Sequence, residues 1–528
     1  MSVDDEVDVV IIGAGVAGLT AGYQLWKKDH SIRVVVLEAK DRVGGRTLTV
    51  KIPAAKGEDD FDLGGQWVGS CQPHITSLLE ELGIERYKQF TTGAKCMQLG
   101  QNNQIRYYKN GLPGLSFLSL IDLFFFSSKV EKMCLMVPVD NPSECPHAEE
   151  WDGMTGETFA RKHLWTQGAR DAIDSALTCI FGRLPKDMSF LYFLHYCHAA
   201  GGLQAVIESE ENSGQEYKIK GGAQQVSHKL VEKIGPKNVL LGQPVKNITQ
   251  GSEAVRVETM GGRRFRCKRV IVATPPNMAG NIQYEPALPA AKSEIYQHMP
   301  VGYLIKVIVT YKKAFWRDAG LSGEVVTNGG KSIVAGCTSG PLCVVFDATT
   351  INQNPALVSF IGAKQGIEWS KEPFEVRKKA VLNNLAECLG AEAMDCIFYR
   401  EKNWAEEPYN GGCPVSTVMP GAMTCFASGL REPFQRVHFA GTESATVWCG
   451  FINGAVQSGI RAANEVLYHL RPQTLTAEDI KITAYAPKCP KTTPNSQRKR
   501  SLIKWTLGLG TLIVVVYAVK KSLLNSSN

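Results

Sequence analysis

Three glycines, Gly13, Gly15 and Gly18, stand in G-x-G-x-x-G spacing at the end of the β-branched run of residues 7–12. The first glycine permits a tight turn and the second lets the backbone approach a pyrophosphate. The helix that follows can hold the phosphates with its free N–H groups. Glu38, at the end of the next apolar run (IRVVVL, residues 32–37), is placed to accept hydrogen bonds from ribose hydroxyls. An acid there disfavours a 2′-phosphate, so FAD or NAD is favoured over NADP. The segment DRVGGRT (residues 41–47) follows at once. Its glycines allow close backbone approach, and Arg42 and Arg46 can meet phosphate or ring oxygens. Far along the chain, YNGGCPVSTVMPG (residues 409–421) brings one thiol, Cys413, to a Gly-Gly turn and fixes the backbone behind it with Pro414. One reading is a loop with a buried cysteine; the other is a thiol that forms a covalent bond.

The elements that must carry these residues are legible in outline. Residues 7–12, the Gly-rich turn, a helix and residues 32–37 make a βαβ unit of ordinary length. VIVA (residues 270–273) reads as another buried strand, closed by a Pro-Pro turn, and VHFAGTE (437–443) as a strand leading to a helix from near residue 450 to past 466. LSFLSLIDLFFF (residues 115–126) is apolar but too short to span a bilayer, and is expected as a core helix rather than a surface patch. After Tyr485 comes a Pro- and Ser-bearing basic linker. Residues 505–519, WTLGLGTLIVVVYAV, then carry no charge and lie between Lys504 and Lys520-Lys521. A single-pass tail anchor is expected there, its reach extended by snorkelling lysines.

Bulk properties set limits. A chain of 528 residues can bury a large core and split into two or three domains. Its composition, 44% hydrophobic and 21% charged, is ordinary for a globular protein. The net charge of +7 is a tail effect: the eight Lys and Arg after Tyr485 meet no acid, and the body without them carries −1. No basic face for nucleic acid is implied. The fifteen cysteines include no C-x-x-C pair, which argues against a disulfide framework and a structural zinc site and fits a reducing compartment. No signal or transit peptide is read at the start, and no metal site or catalytic triad is found.

LEAKDRVGGRT (residues 37–47) resembles the flavin-binding signature of the flavin-containing amine oxidases. The resemblance continues, in order, through DLGGQWVG (62–69), GQPV (242–245), LIKVIVTYKKAFW (304–316), NWAEEPYNGGCP (403–414) and FAGTESATVWCGFINGAVQSG (439–459). Within that family the cysteine after GG and the basic-flanked tail are most similar to monoamine oxidases. The implied fold is α/β: an FAD-binding, Rossmann-type (glutathione-reductase-like) domain, an interleaved α+β substrate domain and a C-terminal transmembrane helix. Expected boundaries are 1–90, 217–300 and 398–470 for the FAD domain and 91–216 with 301–397 for the substrate domain. A linker is expected over 471–503 and an anchor over 504–521.

The resemblance implies oxidation of an amine by FAD and O2, yielding hydrogen peroxide. It implies a thioether from Cys413 to the flavin. It makes Lys306, Trp404 and Phe451 the residues around the reacting atoms. For the cofactor it implies Gly13, Gly15, Gly18, Glu38, Ala39, Arg42, Gly45, Arg46, Gln66, Trp67, Val245, Cys413, Gly441 and Glu443. For the substrate it implies Gln215, Phe360, Pro414 and Phe451. From the residues alone Lys306 reads as a surface lysine on a strand, and the resemblance overturns that. It also implies the mitochondrial outer membrane, with the endoplasmic reticulum as the alternative, and leaves room for a homodimer. The sequence departs from the family at one place. The two tyrosines that cage the amine in monoamine oxidases are replaced by Pro414 and Phe451. Other expectations therefore stand beside the first: a polyamine or amino-acid oxidase, or a membrane-tethered flavoprotein with little turnover.

Overall fold

The computed structural model describes residues 4–100, 103–109 and 113–486. Five parallel strands form one sheet, in the order Val239–Leu240, Val34–Leu37, Val9–Ile12, Arg269–Val272, Val437–Phe439. The central strand VVII is buried on both faces, as a parallel strand under helices must be. Each such side chain contributes roughly 1.5–3 kcal/mol by leaving water. The helices Val16–Lys28 and Ile452–Leu470 pack together beside this sheet, the first by the glycine-rich turn and the second from the far end of the chain. The sheet therefore gathers strands whose sequence positions are hundreds of residues apart.

A second sheet has seven strands in the order Phe398–Asn403, Leu304–Thr310, Ala356–Gly362, Val344–Asp347, Leu321–Thr327, Ala94–Gln98, Ile105–Tyr108. Phe398–Asn403, which the expected boundary puts in the FAD domain, is an edge strand here, paired with Leu304–Thr310. A local apolar pattern says that a strand forms but not which sheet it joins.

A helical layer completes the body: Phe117–Cys134, Gln167–Phe181 and Phe190–Ala200. The apolar run at 115–126 is not a core helix. Ser119, Asp122, Phe126 and Val130 form a narrow buried stripe, while Phe117, Leu118 and Phe125 are 44%, 56% and 64% exposed. An all-apolar run carries no periodicity to show which face turns inward.

The compact body runs to Tyr485 rather than ending at residue 470. Helix Ala477–Lys481 is capped by Thr476 and tied to Lys28 through Asp479, with a 2.7 Å ion pair. The expected anchor, 504–521, lies outside the described residues; among those described no helix is long and apolar enough to cross a membrane. Every described cysteine is a free thiol, and Cys71, Cys179, Cys337, Cys396 and Cys425 are only partly buried.

Candidate active site

A cavity of about 590 Å³ runs from the glycine-rich turn of the parallel sheet to the face of the seven-stranded sheet. At its first end Gly13, Gly15, Glu38, Ala39 and Val245 line the wall. Gly13 has φ +105°, and a Cβ on it would stand 3.0 Å from the Ala273 carbonyl oxygen. Gly18 does not reach the cavity. A Cβ there would lie 2.0 Å from the Gly13 carbonyl oxygen, so Gly18 sets how closely helix meets strand. Glu38 accepts from Ala14 N–H at 2.6 Å and Lys40 N–H at 3.1 Å, which fixes its carboxylate at the turn. The helix beginning at Val16 turns its unpaired first N–H groups toward this end. Thr274 Oγ1 is buried there without a partner. A positive-φ turn, a helix N-terminus, a ribose-facing acid and an orphaned hydroxyl fit a dinucleotide.

Midway, Arg46 lines the cavity with Gly45 and Gly441. It forms a forked pair with Glu443 at 2.6 and 3.0 Å and donates to the Pro414 carbonyl at 3.0 Å. Burial alone would raise the Glu443 carboxyl; the Arg46 guanidinium outweighs it, and the net direction is down. Two further residues expected at the cofactor lie outside the cavity wall. Glu443 sits behind Arg46 and does not line the cavity. Arg42 faces away from it, bonding to the carbonyls of Gly45 and Thr47 and to Glu407. Glu407 also binds Lys40 and Lys402, and so is the acid that collects the cations of this loop. Spacing cannot show that partner, which lies 365 residues from Arg42.

At the far end Lys306, Gln66, Trp67, Trp404, Cys413 and Pro414 converge with Gln215, Phe360 and Phe451. Lys306 projects from the fully buried strand Leu304–Thr310. Its Nζ donates to Gly64 O at 2.8 Å and to Gln66 Oε1, and lies 5.5 Å from the Phe360 ring. Burial pushes its pKa down to about 7, against the opposing pull of Asp62. Trp404 is locked by its Nε1–H to Leu63 O at 2.8 Å. Cys413 is held through N–H to Gly302 O at 3.0 Å. The Gly-Gly before it is required: Gly412 has φ +145°, and a Cβ there would lie 2.3 Å from Gly302 O. The Cys413–Pro414 bond is cis. Burial pushes the Cys413 thiol up to about 12, against Arg46 and Lys306.

Tyr196, from helix Phe190–Ala200, also lines this end and escapes sequence reasoning. Its ring lies 5.7 Å from that of Phe451, which meets Trp448 edge-on at 4.8 Å. No motif marks Tyr196, because it lies in a helix buried almost throughout. Glu324 and Phe346 are two further wall residues without a sequence signal. Among the described residues no group of His, Cys, Asp and Glu could hold a metal ion.

The arrangement is that of a dinucleotide-dependent enzyme whose cavity continues to an end lined by a lysine, a thiol and aromatic rings. The pattern of the flavin containing amine oxidoreductases matches residues 16–467, and the chain belongs to that family. It is 35% identical over 464 residues to a probable flavin-containing monoamine oxidase A of Dictyostelium discoideum, covering 87% of this chain and 97% of that one. It is 36% identical over 462 residues to the flavin-containing amine oxidase A of Canis lupus familiaris, covering 87% and 85%. Among solved structures, a putrescine oxidase bound to putrescine superposes with a TM-score of 0.81 at 27% identity, covering 88% of this chain and 99% of that one. The protein is therefore a flavin-dependent amine oxidase, acting on a small-molecule amine with O2.

Proposed function

We propose that this chain binds FAD covalently through Cys413 and oxidises amines other than the small arylalkylamines that a two-tyrosine cage would orient. The observation that carries the reading is that Pro414 and Phe451 line the cavity that Lys306 enters. FAD, when bound, supplies the two-electron oxidation of the amine and the reduction of O2 to hydrogen peroxide.

The chain's own residues supply position and proton handling. Gly13, Gly15, Glu38, Ala39 and Val245 hold the nucleotide end. Arg46 and Gly45 hold the middle, with Glu443 as the counter-charge that orients Arg46. Gln66 and Gly64 O fix the Lys306 ammonium, and burial makes it deprotonate near neutrality, so it can take up a proton during turnover. Trp67, Trp404 and Phe360 exclude water. Gln215 offers Oε1, buried and without a partner, as an acceptor for a substrate N–H. The one arginine lining the cavity among the described residues is Arg46, and it is already paired with Glu443, which disfavours an amino-acid carboxylate as substrate. The tail of residues 504–521 serves as the anchor, in the mitochondrial outer membrane or the endoplasmic reticulum, with the body facing the cytoplasm, alone or as a homodimer.

The test is anaerobic mixing of the yellow protein with a panel of arylalkylamines, polyamines and amino acids. Bleaching of the flavin absorbance by an amine is expected. A flavin that no amine bleaches would identify the chain as a low-turnover flavoprotein.

A further inference from the structure

We propose that Lys306 exchanges its proton with solvent through a second cavity behind the active-site wall, with Asp62 as the relay group and Lys218 as the cation that opposes the charge on Lys306. The inference rests on the proton-handling reading of Lys306 and extends it to two residues outside the active-site cavity.

Leu304, Lys306 and Ile308 alternate onto one face of the strand Leu304–Thr310. The first two line the active-site cavity, and Ile308 lines a second cavity of about 200 Å³. Gln66, which accepts from Lys306 Nζ, lines both. Lys306 and Gln66 thus stand at the partition between the two spaces. The second cavity has room for several waters. Its rim includes Lys220, Ile351 and Asn352, all exposed, so it reaches the surface.

Asp62 and Lys218 line this second cavity. Both hydrogen bonds of Asp62 fall on Oδ1, from Thr49 Oγ1–H at 2.6 Å and Ala223 N–H at 2.9 Å. Its Oδ2 takes none among the described residues and is the oxygen left to accept a proton. Lys218, opposite Trp67 and Tyr87 in a three-stranded sheet, donates to Thr349 O at 2.9 Å and lies 5.0 Å from the Tyr87 ring. The other charges nearby have partners of their own. Asp59 accepts from Thr350, Asn352 and Asn354, Asp60 pairs with Lys51, Lys220 with Glu85, and Asp347 with Arg317. From the active-site side Lys306 faces Cys413, whose thiol burial keeps protonated.

Asp62 and Lys306 are therefore each other's main charge partner. Burial, the larger effect on both, raises Asp62 and brings Lys306 down to about 7, so their proton affinities converge. The Lys306 ammonium and the Asp62 carboxylate can then become an amine and a carboxylic acid. The acid returns its proton to water in the second cavity, which restores the carboxylate; uptake runs the same steps backwards. Lys218, itself brought down to about 8 by burial, is a like charge that disfavours the Lys306 ammonium.

The test uses the full-length, FAD-loaded protein and reads Lys306 in two ways. One is the pH limb of kcat. The other is the pH dependence of urea midpoints, taken as the difference between each variant with and without Lys306→Met. The Asp62 charge favours the ammonium, so Asp62→Asn should move both readouts to lower pH, by about one pH unit or more. Lys218→Met, which removes the opposing cation, should move both to higher pH. A packing role would lower the midpoints without moving the pH window in which they vary. In Asp62→Ala turnover should fall about tenfold or more. Formate, a carboxylate small enough for the second cavity, should restore part of that loss and nothing in Lys306→Met. Readouts that stay in place in both variants or move the same way, or an Asp62→Ala protein that formate does not rescue, would overturn the proposal. If Lys306→Met leaves the limb in place, the proton-handling reading of Lys306 falls and this proposal with it. If it removes the limb while Asp62→Asn and Lys218→Met leave it unmoved, only the second cavity loses its role.

Discussion

The ring of Tyr196 lies 5.7 Å from that of Phe451, tilted by 37°, and both rings face the cavity that Lys306 enters. The aromatic side of the substrate site is thus a pair drawn from one buried helix and one loop, while Pro414 stands elsewhere in the wall without a ring. A neutral amine meets a face on one side and open space on another.

That asymmetry predicts weak orientation of small arylalkylamines. Misplacing a reacting carbon by about an ångström can cost around a hundredfold in rate. The unmutated protein should turn over simple arylalkylamines below roughly ten per second, and Pro414→Tyr with Phe451→Tyr should raise that rate about tenfold or more. A steady-state peroxide assay measures both; no gain in the double variant would mean that the missing rings do not set the rate.

Covalent attachment has a direct readout. Acid-precipitated protein should retain its yellow colour, and Cys413→Ala should release the flavin to the supernatant. Free flavin from the unmutated protein would remove Cys413 from the role.

The pH dependence should report Lys306. Its amine titrates at about 7 in the folded protein against 10.5 ordinarily. Raising the pH through about 7 frees it to accept a proton, so kcat should climb along a limb centred there, and Lys306→Met should abolish that limb. The same shift has a stability sign. Between the two values the unfolded chain holds a proton that the folded one does not, so this group's contribution to stability rises with pH across that window. Lys306→Met should flatten the slope of urea midpoints against pH.

Breaking the Arg46–Glu443 fork should cost both stability and cofactor. Glu443→Gln leaves the Arg46 guanidinium without its counter-charge, a loss of about 3 kcal/mol for a buried pair. The urea midpoint should fall, and flavin occupancy should fall with it, because Arg46 also holds the Pro414 carbonyl.

Truncation after Lys491 removes the uncharged run of residues 505–519. The shortened protein should move from the membrane pellet to the supernatant and remain yellow. If it stays in the pellet, the exposed Phe117, Leu118 and Phe125 of helix Phe117–Cys134 become the next residues to change.

Much of the nucleotide end was written in contiguous sequence. Gly13, Gly15, Gly18 and Glu38 belong to one strand–turn–helix–strand unit, and their roles follow from backbone geometry over a few residues. Cys413 could be singled out for a similar reason: two glycines and a proline fix its turn locally, and Gly412 could carry no side chain there. Other assignments depended on which distant segments meet. Arg42 is paired with Glu407 and Glu443 with Arg46, partners that no local stretch of sequence shows. Tyr196 and Glu324 had no signal at all, one inside an almost wholly buried helix and the other on a strand of ordinary composition. Side chains become neighbours there through sheet register and helix packing, set by the burial of apolar faces summed over the whole core. A turn is decided by its own residues, whereas the far wall of this cavity is decided by pairings such as Lys306 with Phe360 and Val344 with Val326, which no short stretch of sequence specifies.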